Sequence, residues 1–251
     1  MTDSRTLAYI NLFAVLGTLP YLCELDCEAS ELIKGKKVTI GIKVKDGPEG
    51  RLVFADNKCA VLEGADPCDI KLSFSEPDKF NAMIDGTYTP IPTKGFHKIG
   101  FLTKNFIKLT DILTKYLRAE KKDLENKEFF EKSTVLMFHL ILSAIAQIGN
   151  EDKIGRASAS YIVDGTVRMS AGDDIVLSIR SEGHKLTAIH ASPESYTSFM
   201  SFDSVETARK LFDGDINAVA CIGTGVVRVG GMISQVDNIN RILDRVALYL
   251  A

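Results

Sequence analysis

Leu72-Ser-Phe-Ser-Glu-Pro-Asp-Lys-Phe-Asn-Ala-Met-Ile-Asp-Gly86 is the stretch from which the fold is read, because its pattern returns as Met200-Ser-Phe-Asp-Ser-Val-Glu-Thr-Ala-Arg-Lys-Leu-Phe-Asp-Gly214. In both, a short apolar run ends on Ser-Phe, two polar residues follow, a helix-sized segment comes next, and Asp-Gly closes it. Ser73-Phe74 and Ser201-Phe202 stand 128 positions apart, as do Asp85-Gly86 and Asp213-Gly214. The pattern predicts a strand that enters a short helix, with Gly86 and Gly214 at the left-handed position that commonly stops one. Thr6 and Leu12 recur at the same offset as Thr134 and Leu140. With a few residues inserted, Ile99-Gly100 answers to Val229-Gly230 and Tyr116-Leu117 to Tyr249-Leu250. Identity is low, so the shared order of elements carries the argument. A unit present twice is a tandem pair, since a solenoid needs about three or more repeats to close its core.

Outward from the first stretch, Thr6 to Leu25 is predicted as an apolar helix. Val38 to Lys45 alternates, with Val38, Ile40, Ile42 and Val44 on one face, as a half-buried strand does. Arg51 to Ala55, Cys59 to Leu62 and Asp69 to Phe74 follow as strands, then a helix over Glu76 to Ile84. Phe96 to Phe101 is predicted as a last strand and Phe106 to Leu117 as a closing helix. In the second unit a helix over Phe129 to Ile148 precedes strands at Ala159 to Val163, Thr166 to Ser170, Ile175 to Ser181, Lys185 to His190 and Tyr196 to Phe202. Asp164-Gly165 and Glu182-Gly183 are hairpin turns, and Ala171-Gly172-Asp173-Asp174 is a further turn. A helix over Val205 to Phe212, strands at Ile216 to Cys221 and Val226 to Ile233, and a helix over Val236 to Leu250 complete the unit. Strands and helices are segregated, so each unit is predicted to be α+β: an antiparallel sheet of about five strands with helices on one face. Residues 118 to 127 are nearly all polar, which sets the expected domains at 1–122 and 123–251.

The chain of 251 residues is long enough for two such domains. Its net charge of −3 and the lack of a basic stripe with interleaved aromatics argue against a nucleic-acid partner. Five cysteines, odd in number and irregular in spacing, fit a reducing, cytoplasmic setting. Cys23 and Cys27, at i and i+4 on a predicted helix, offer two thiolates to a metal. No second Cys/His pair stands at zinc spacing, so they read as small buried hydrophobes. The apolar run from Leu7 to Leu25 lacks a cationic start and a small-x-small cleavage site, so it does not read as a signal peptide. Val135 to Ile148 is short of the ~20 residues a membrane span requires, so no integral span is expected.

Motifs that carry chemistry are few. Gly223-Thr-Gly-Val-Val-Arg-Val-Gly-Gly231 leads into a β-branched run rather than a helix N-terminus, which marks a turn and strand and not a phosphate loop. His139 sits inside an apolar helix and reads as a core histidine; His184 and His190 flank one hairpin without a completing ligand set. No Gly-x-Ser-x-Gly elbow is present. Asp85 and Asp213 precede helix-stopping glycines and read as turn residues. What stands out is apolar. The first helix of each unit has no polar face, and a helix apolar all round is buried all round. Its second side requires the other repeat, a second subunit as in a homodimer, or a lipid.

The two quoted stretches, with Val227-Arg-Val-Gly-Gly231 and the last helix, resemble the sterol carrier protein type 2 (SCP2) family. The resemblance covers most of both units. It implies a five-stranded sheet covered by helices around a tunnel for a hydrophobic ligand: a fatty acyl chain, a phospholipid or a sterol-like lipid. It brings no catalytic residue, no metal and no cofactor. Thr89-Pro-Ile-Pro92 stands where the second unit has Asn217-Ala-Val-Ala220, so the working pocket is expected in the second unit. Met200, Leu211, Phe212, Met232, Ile239 and Leu243 are its candidate lipid-binding residues, being apolar and on the elements that the resemblance places around the tunnel. Two alternatives remain: a lipid-acting hydrolase or acyltransferase, recognisable by a Ser, Cys or Asp beside a His at the pocket mouth, and a structural scaffold or dimerisation module with a filled interior.

Overall fold

The computed structural model describes residues 2–173, 175–216 and 218–250. Asp174, in a predicted turn, and Asn217, in a predicted strand, lie outside the described residues. By its contacts the chain divides into two compact units, Met1–Leu136 and Met137–Ala251.

The first unit opens with a continuous helical run, Ser4–Leu25 (α1). Asp3 starts it by accepting from the Thr6 N–H at 3.0 Å, as N-cap aspartates do. A π turn at Asn11–Val15 and a 3-10 turn at Leu16–Thr18 interrupt its pitch. A short helix, Cys27–Ile33 (α2), follows an extended Asp26. Cys23 and Cys27 therefore lie on different helices, one buried and the other exposed, and do not share a face. Strands Val38–Val44 (β1), Glu49–Ala55 (β2), Lys58–Glu63 (β3) and Ile70–Phe74 (β4) form a sheet in the order β3-β2-β1-β4. The predicted face of β1 holds, with Val38, Ile40, Ile42 and Val44 all buried. Helix Pro77–Ile84 (α3) ends at Gly86, which has φ +73°.

One expected strand of the first unit is absent. Residues 96–106 are helical turns leading into helix Ile107–Leu117 (α4). The spacing of Phe101, Phe106, Leu109 and Leu113, all buried, is that of a helical face, and Phe101 packs on Phe54 with ring centroids 5.1 Å apart. The six residues expected as a strand, Phe96 to Phe101, have no apolar/polar alternation to hold them extended. The sheet edge beside β4 is met instead by one isolated bridge, Lys71 to Lys94. Ile99-Gly100 and Val229-Gly230, paired in the sequence, thus lie in unlike elements.

Helix Lys127–Glu151 (α5) runs across the division between the units. In the second unit, helix Lys153–Ala159 (α6) precedes strands Gly165–Ala171 (β5), Ile175–Glu182 (β6), Lys185–Ile189 (β7) and Ser198–Phe202 (β8). The strand predicted over Ala159 to Val163 is absent: Ala159 ends α6, residues 160–161 form a turn, and β5 begins only at Gly165, so Asp164-Gly165 closes no hairpin. Asp152 caps α6 through the N–H groups of Ile154 and Gly155, at 3.0 and 2.8 Å. Helix Val205–Phe212 (α7), helix Ala218–Thr224 (α8), strand Val227–Gly231 (β9) and helix Ile233–Leu250 (α9) complete it, with sheet order β7-β6-β5-β8-β9. The strand predicted over Ile216 to Cys221 is thus helix from Ala218 on. Its alanine-rich stretch favours a helix over a strand.

The α+β class holds in both units. Each sheet is mixed rather than purely antiparallel: β1 pairs parallel with β4, and β5 with β8, while the remaining pairings are antiparallel. The cause is topological. A three-strand meander ends on one edge, and the chain returns to the free side of its first strand in the same direction. The registers match: Val44 lies opposite Phe74, and Ala171 opposite Phe202. Gly214, after α7, has φ +77°, close to that of Gly86. Tyr116 and Tyr249 each lie in the closing helix of their unit.

Candidate functional site

The candidate lipid-binding residues sit where β8, β9, α7 and α9 come together. Helix α9 packs on β8 and β9, and α7 on β5 and β8. On β8, Met200 points into the core opposite Met169 of β5 and Val229 of β9, and is 4% exposed. Ile239 is buried on α9, and Leu243, one turn later, is half-buried. Leu211 and Phe212, at the end of α7, are also half-buried. Phe212 meets Phe138 of α5 and Phe202 of β8 edge to face, with centroids 5.4 and 6.0 Å away, and Phe138 meets Phe202 at 6.1 Å. Such edge-to-face sets are favourable beyond the area they bury. Met232, between β9 and α9, is 44% exposed. Five of the six are therefore buried or half-buried, and Met232 stands at the surface.

A buried polar hub fastens the start of α9. Gln235 is fully buried; its Oε1 accepts from Thr197 Oγ1 at 2.8 Å and from Ser198 Oγ, and its Nε2 donates to the Val163 carbonyl at 3.0 Å. The Met232 N–H donates to Ser198 Oγ at 3.0 Å. Gly231 makes this approach possible: its φ is +84°, and a Cβ there would fall 2.1 Å from the Thr197 carbonyl oxygen. Around the hub, apolar side chains reach solvent: Val163, Met232, and Ile233 at 62% exposure.

A second cluster was missed in the sequence. His139 Nδ1 and His190 Nδ1 are 2.7 Å apart, and Ser143 Oγ lies 3.0 Å from His190 Nε2. His139 and Ser143 are one turn apart on α5, and His190 directly follows β7. Burial pushes both imidazoles down, His139 to about 3 with help from the neighbouring His190, and His190 to about 4. A serine beside a histidine was the mark set for an enzyme. Here Ser143 is 5% exposed and His139 9%, while His190 is half-buried. Only the i, i+4 spacing of His139 and Ser143 was visible in the sequence; nothing there tied either to a residue 47 or 51 positions on.

Two hollows open on the first unit, and neither includes a candidate lipid-binding residue. One, of about 340 Å³, is lined by Lys115, Tyr116, Phe129 and Lys132 among others; the other, of about 400 Å³, by Asp3, Ser4, Asp78, Asn81 and Asp85 among others. Among the described residues no three His, Cys, Asp or Glu side chains gather as metal ligands.

No family profile matches the chain, and no curated protein matches it. Among solved structures, a UbiJ-SCP2 ubiquinone synthesis protein is 17% identical, with a TM-score of 0.34, over 43% of this chain and 96% of that one. The likeness is to SCP2 domains. Sterol carrier protein domain 2 of Helicoverpa armigera is 15% identical, with a TM-score of 0.35, over 45% of this chain and 88% of that one. Sterol carrier protein 2 of Yarrowia lipolytica, in its apo form, is 17% identical, with a TM-score of 0.32, over 42% and 88%. Each likeness spans a share of this chain close to one unit. The α+β assignment rests on the chain's own strand order and register.

Proposed function

We propose that this chain binds and carries a hydrophobic ligand, and that its second unit holds the ligand's hydrocarbon part between α9 and the β8–β9 side of the sheet. The observation that carries the reading is a gradient of apolar exposure. Met200 and Ile239 are buried, Leu211, Phe212 and Leu243 are half-buried, and Met232 is 44% exposed beside the exposed Ile233. An acyl chain following that gradient leaves water one methylene at a time, at about 0.8 kcal/mol each. The methionines at both ends suit a ligand of variable shape. Affinity of this kind requires few polar groups, in keeping with a chain poor in catalytic motifs.

The same proposal takes the two units as copies of one ancestral unit. It is supported by Phe74 and Phe202 at equivalent strand ends, Gly86 and Gly214 at equivalent helix stops, and Tyr116 and Tyr249 in equivalent closing helices. The first unit, with helical turns where the second has β9, is assigned a structural role. We read the protein as a soluble carrier of a reducing compartment such as the cytoplasm, without catalysis. Its five cysteines are free thiols. The helices Ser4–Leu25 and Lys127–Glu151 are long and apolar enough to cross a membrane, yet 61% and 67% of their most apolar windows are buried within the chain. Native mass spectrometry of the purified protein tests the proposal: a co-purified lipid supports it. A protein that arrives empty, and whose melting is indifferent to fatty acids and phospholipids, refutes it.

A further inference from the structure

Residues 88–118 of the first unit combine two features that a solvated surface ordinarily keeps apart. They hold six cations, Lys94, Lys98, Lys104, Lys108, Lys115 and Arg118, against one anion, Asp111, in a chain whose net charge is −3. They also leave Tyr88, Ile91, Phe96, Ile99 and Ile107 exposed, Ile91 at 77% and Phe96 at 59%. The two sets share one face. Along the helical run from Phe96 through α4, the exposed Phe96, Ile99, Thr103, Ile107, Asp111 and Lys115 follow at steps of three or four residues, with Lys104 and Lys108 beside them. Phe101, Phe106, Leu109 and Leu113 take the opposite, buried side. An outward helix face is ordinarily polar. This one carries a phenylalanine and two isoleucines among its lysines. It is also held in place. Lys94 bridges to Lys71 of β4. Gly95, at φ +87°, lies so near the sheet that a Cβ there would fall 2.2 Å from the Asp69 carbonyl oxygen. Asn105 Nδ2 donates to the Leu32 carbonyl of α2 at 2.7 Å.

We infer that this face docks on an anionic lipid surface, with its lysines at the headgroups and Ile91, Phe96, Ile99 and Ile107 entering the acyl boundary. The inference goes beyond the carrier reading and does not depend on it. Part of the charge is already engaged: Lys98 pairs with Asp69 at 2.9 Å, Arg118 lies 3.5 Å from Asp85, and Lys94 Nζ donates to the Cys68 carbonyl at 2.8 Å. Lys104, Lys108 and Lys115 make no ion pair among the described residues, so their charge is open to a partner. Lysines on such a face attract anionic lipid, and the apolar side chains between them supply the second signal that stable interfacial binding requires. A second copy of the same face would set cation against cation. Nucleic acid would draw on the lysines too, but single strands are gripped by stacked aromatic rings. Three of the five exposed apolar side chains here are isoleucines, which suit acyl chains instead.

Flotation of the full chain with vesicles tests the inference. The protein is expected to float with vesicles of phosphatidylglycerol and phosphatidylcholine at low salt, and not with phosphatidylcholine alone. Lys104→Ser with Lys108→Ser should weaken vesicle binding about fivefold per lysine, a defect that shrinks as salt screens the wild type. Ile91→Ser with Phe96→Ser should weaken it at every salt concentration. All four side chains are exposed, so melting temperatures should match the wild type. The chain has no tryptophan, so Ile91→Trp supplies an independent reading. Its emission should shift to the blue on anionic vesicles and stay unshifted with neutral ones. A chain that stays in solution with anionic vesicles, or binds neutral vesicles equally well, overturns the docking face. So does one that binds a short DNA duplex as tightly while the Ile91→Trp emission does not move on vesicles.

Discussion

Tyr249 Oη donates to Asp152 Oδ2 at 2.7 Å, and this contact closes the second unit on itself. Asp152, 3% exposed, caps α6 at the same time and takes Arg245 Nη2 at 2.8 Å. Arg245 Nε lies 2.7 Å from Asp152 Oδ1, close enough for charge attraction, though off-line for a hydrogen bond. Burial pushes the Asp152 carboxyl up, but the hydrogen bonds from Arg245, the Gly155 N–H and Tyr249 outweigh it and hold the group below the ordinary carboxylate range. The first unit carries the counterpart: Tyr116 Oη donates to Asp26 Oδ2 at 2.9 Å, and Asp26 caps α2. Asp152→Ala strands the half-buried Arg245 guanidinium and uncaps α6, so a loss of about 3 kcal/mol is expected. Tyr249→Phe removes one charge-assisted bond, and about 1.5–3 kcal/mol is expected. Urea unfolding measures both. Equal, near-zero losses would mean that the knot is ornamental.

Gly231→Ala should cost far more than Gly86→Ala. Both glycines have φ values that L-residues rarely adopt, +84° and +73°, so each substitution carries about 1–2 kcal/mol of backbone strain. At Gly86 the added carbon meets nothing within 4 Å, whereas at Gly231 it falls 2.1 Å from the backbone oxygen of Thr197, the residue just before β8. That oxygen cannot move without parting β9 from β8. Thermal melting of the two variants decides it, and a Gly231→Ala protein no worse than Gly86→Ala would contradict the close approach.

Leu243→Trp separates a carrier from a solid core. Leu243 is half-buried on α9, one turn from buried Ile239. If a hydrocarbon chain enters there, the indole takes its place: the fold keeps its melting temperature and loses any stabilisation by long-chain fatty acid. In a filled interior the same change overpacks, at about 1–3 kcal/mol, and lipid never mattered. Melting of both proteins with and without fatty acid reads the difference.

How much of this was legible in the sequence depended on the range of the interaction. Alternation named β1 and the β5–β6–β7 meander, because a strand's burial pattern is local. Gly86 and Gly214 announced the helix stops for the same reason. The parallel pairings were not legible, since periodicity gives a strand's faces and not its direction. Residues 96–101 were misread because a short irregular helix shows too few apolar positions to declare its period until Phe106, Leu109 and Leu113 are included. Of the site, the apolar candidates were named from the elements they lie on, and the structure finds five of them at least half-buried. The His139–His190 contact joins residues 51 apart and leaves no mark on either neighbourhood.

The acid profile of stability should descend in two limbs. His139 and His190 have folded values of about 3 and about 4, against an ordinary value of 6.5. Their folded values are depressed, so stability is whole above 6.5. It falls as the unfolded chain takes up protons that the folded chain refuses. The first limb therefore runs from about pH 6.5 down toward 4, with a slope of about 1.4 kcal/mol per pH unit for each imidazole. Asp152 is also depressed, from 3.8, so its contribution is present above that value and is lost only below it, as the second limb. His190→Gln should about halve the slope of the first limb, because burial still holds His139 neutral, and leave the second; Asp152→Asn should spare the first limb and flatten the second. Urea unfolding at half-unit steps from pH 7.5 to 3 traces the curve. A wild-type stability unchanged between pH 7 and 5 would mean that the two imidazoles are not held neutral in the folded chain.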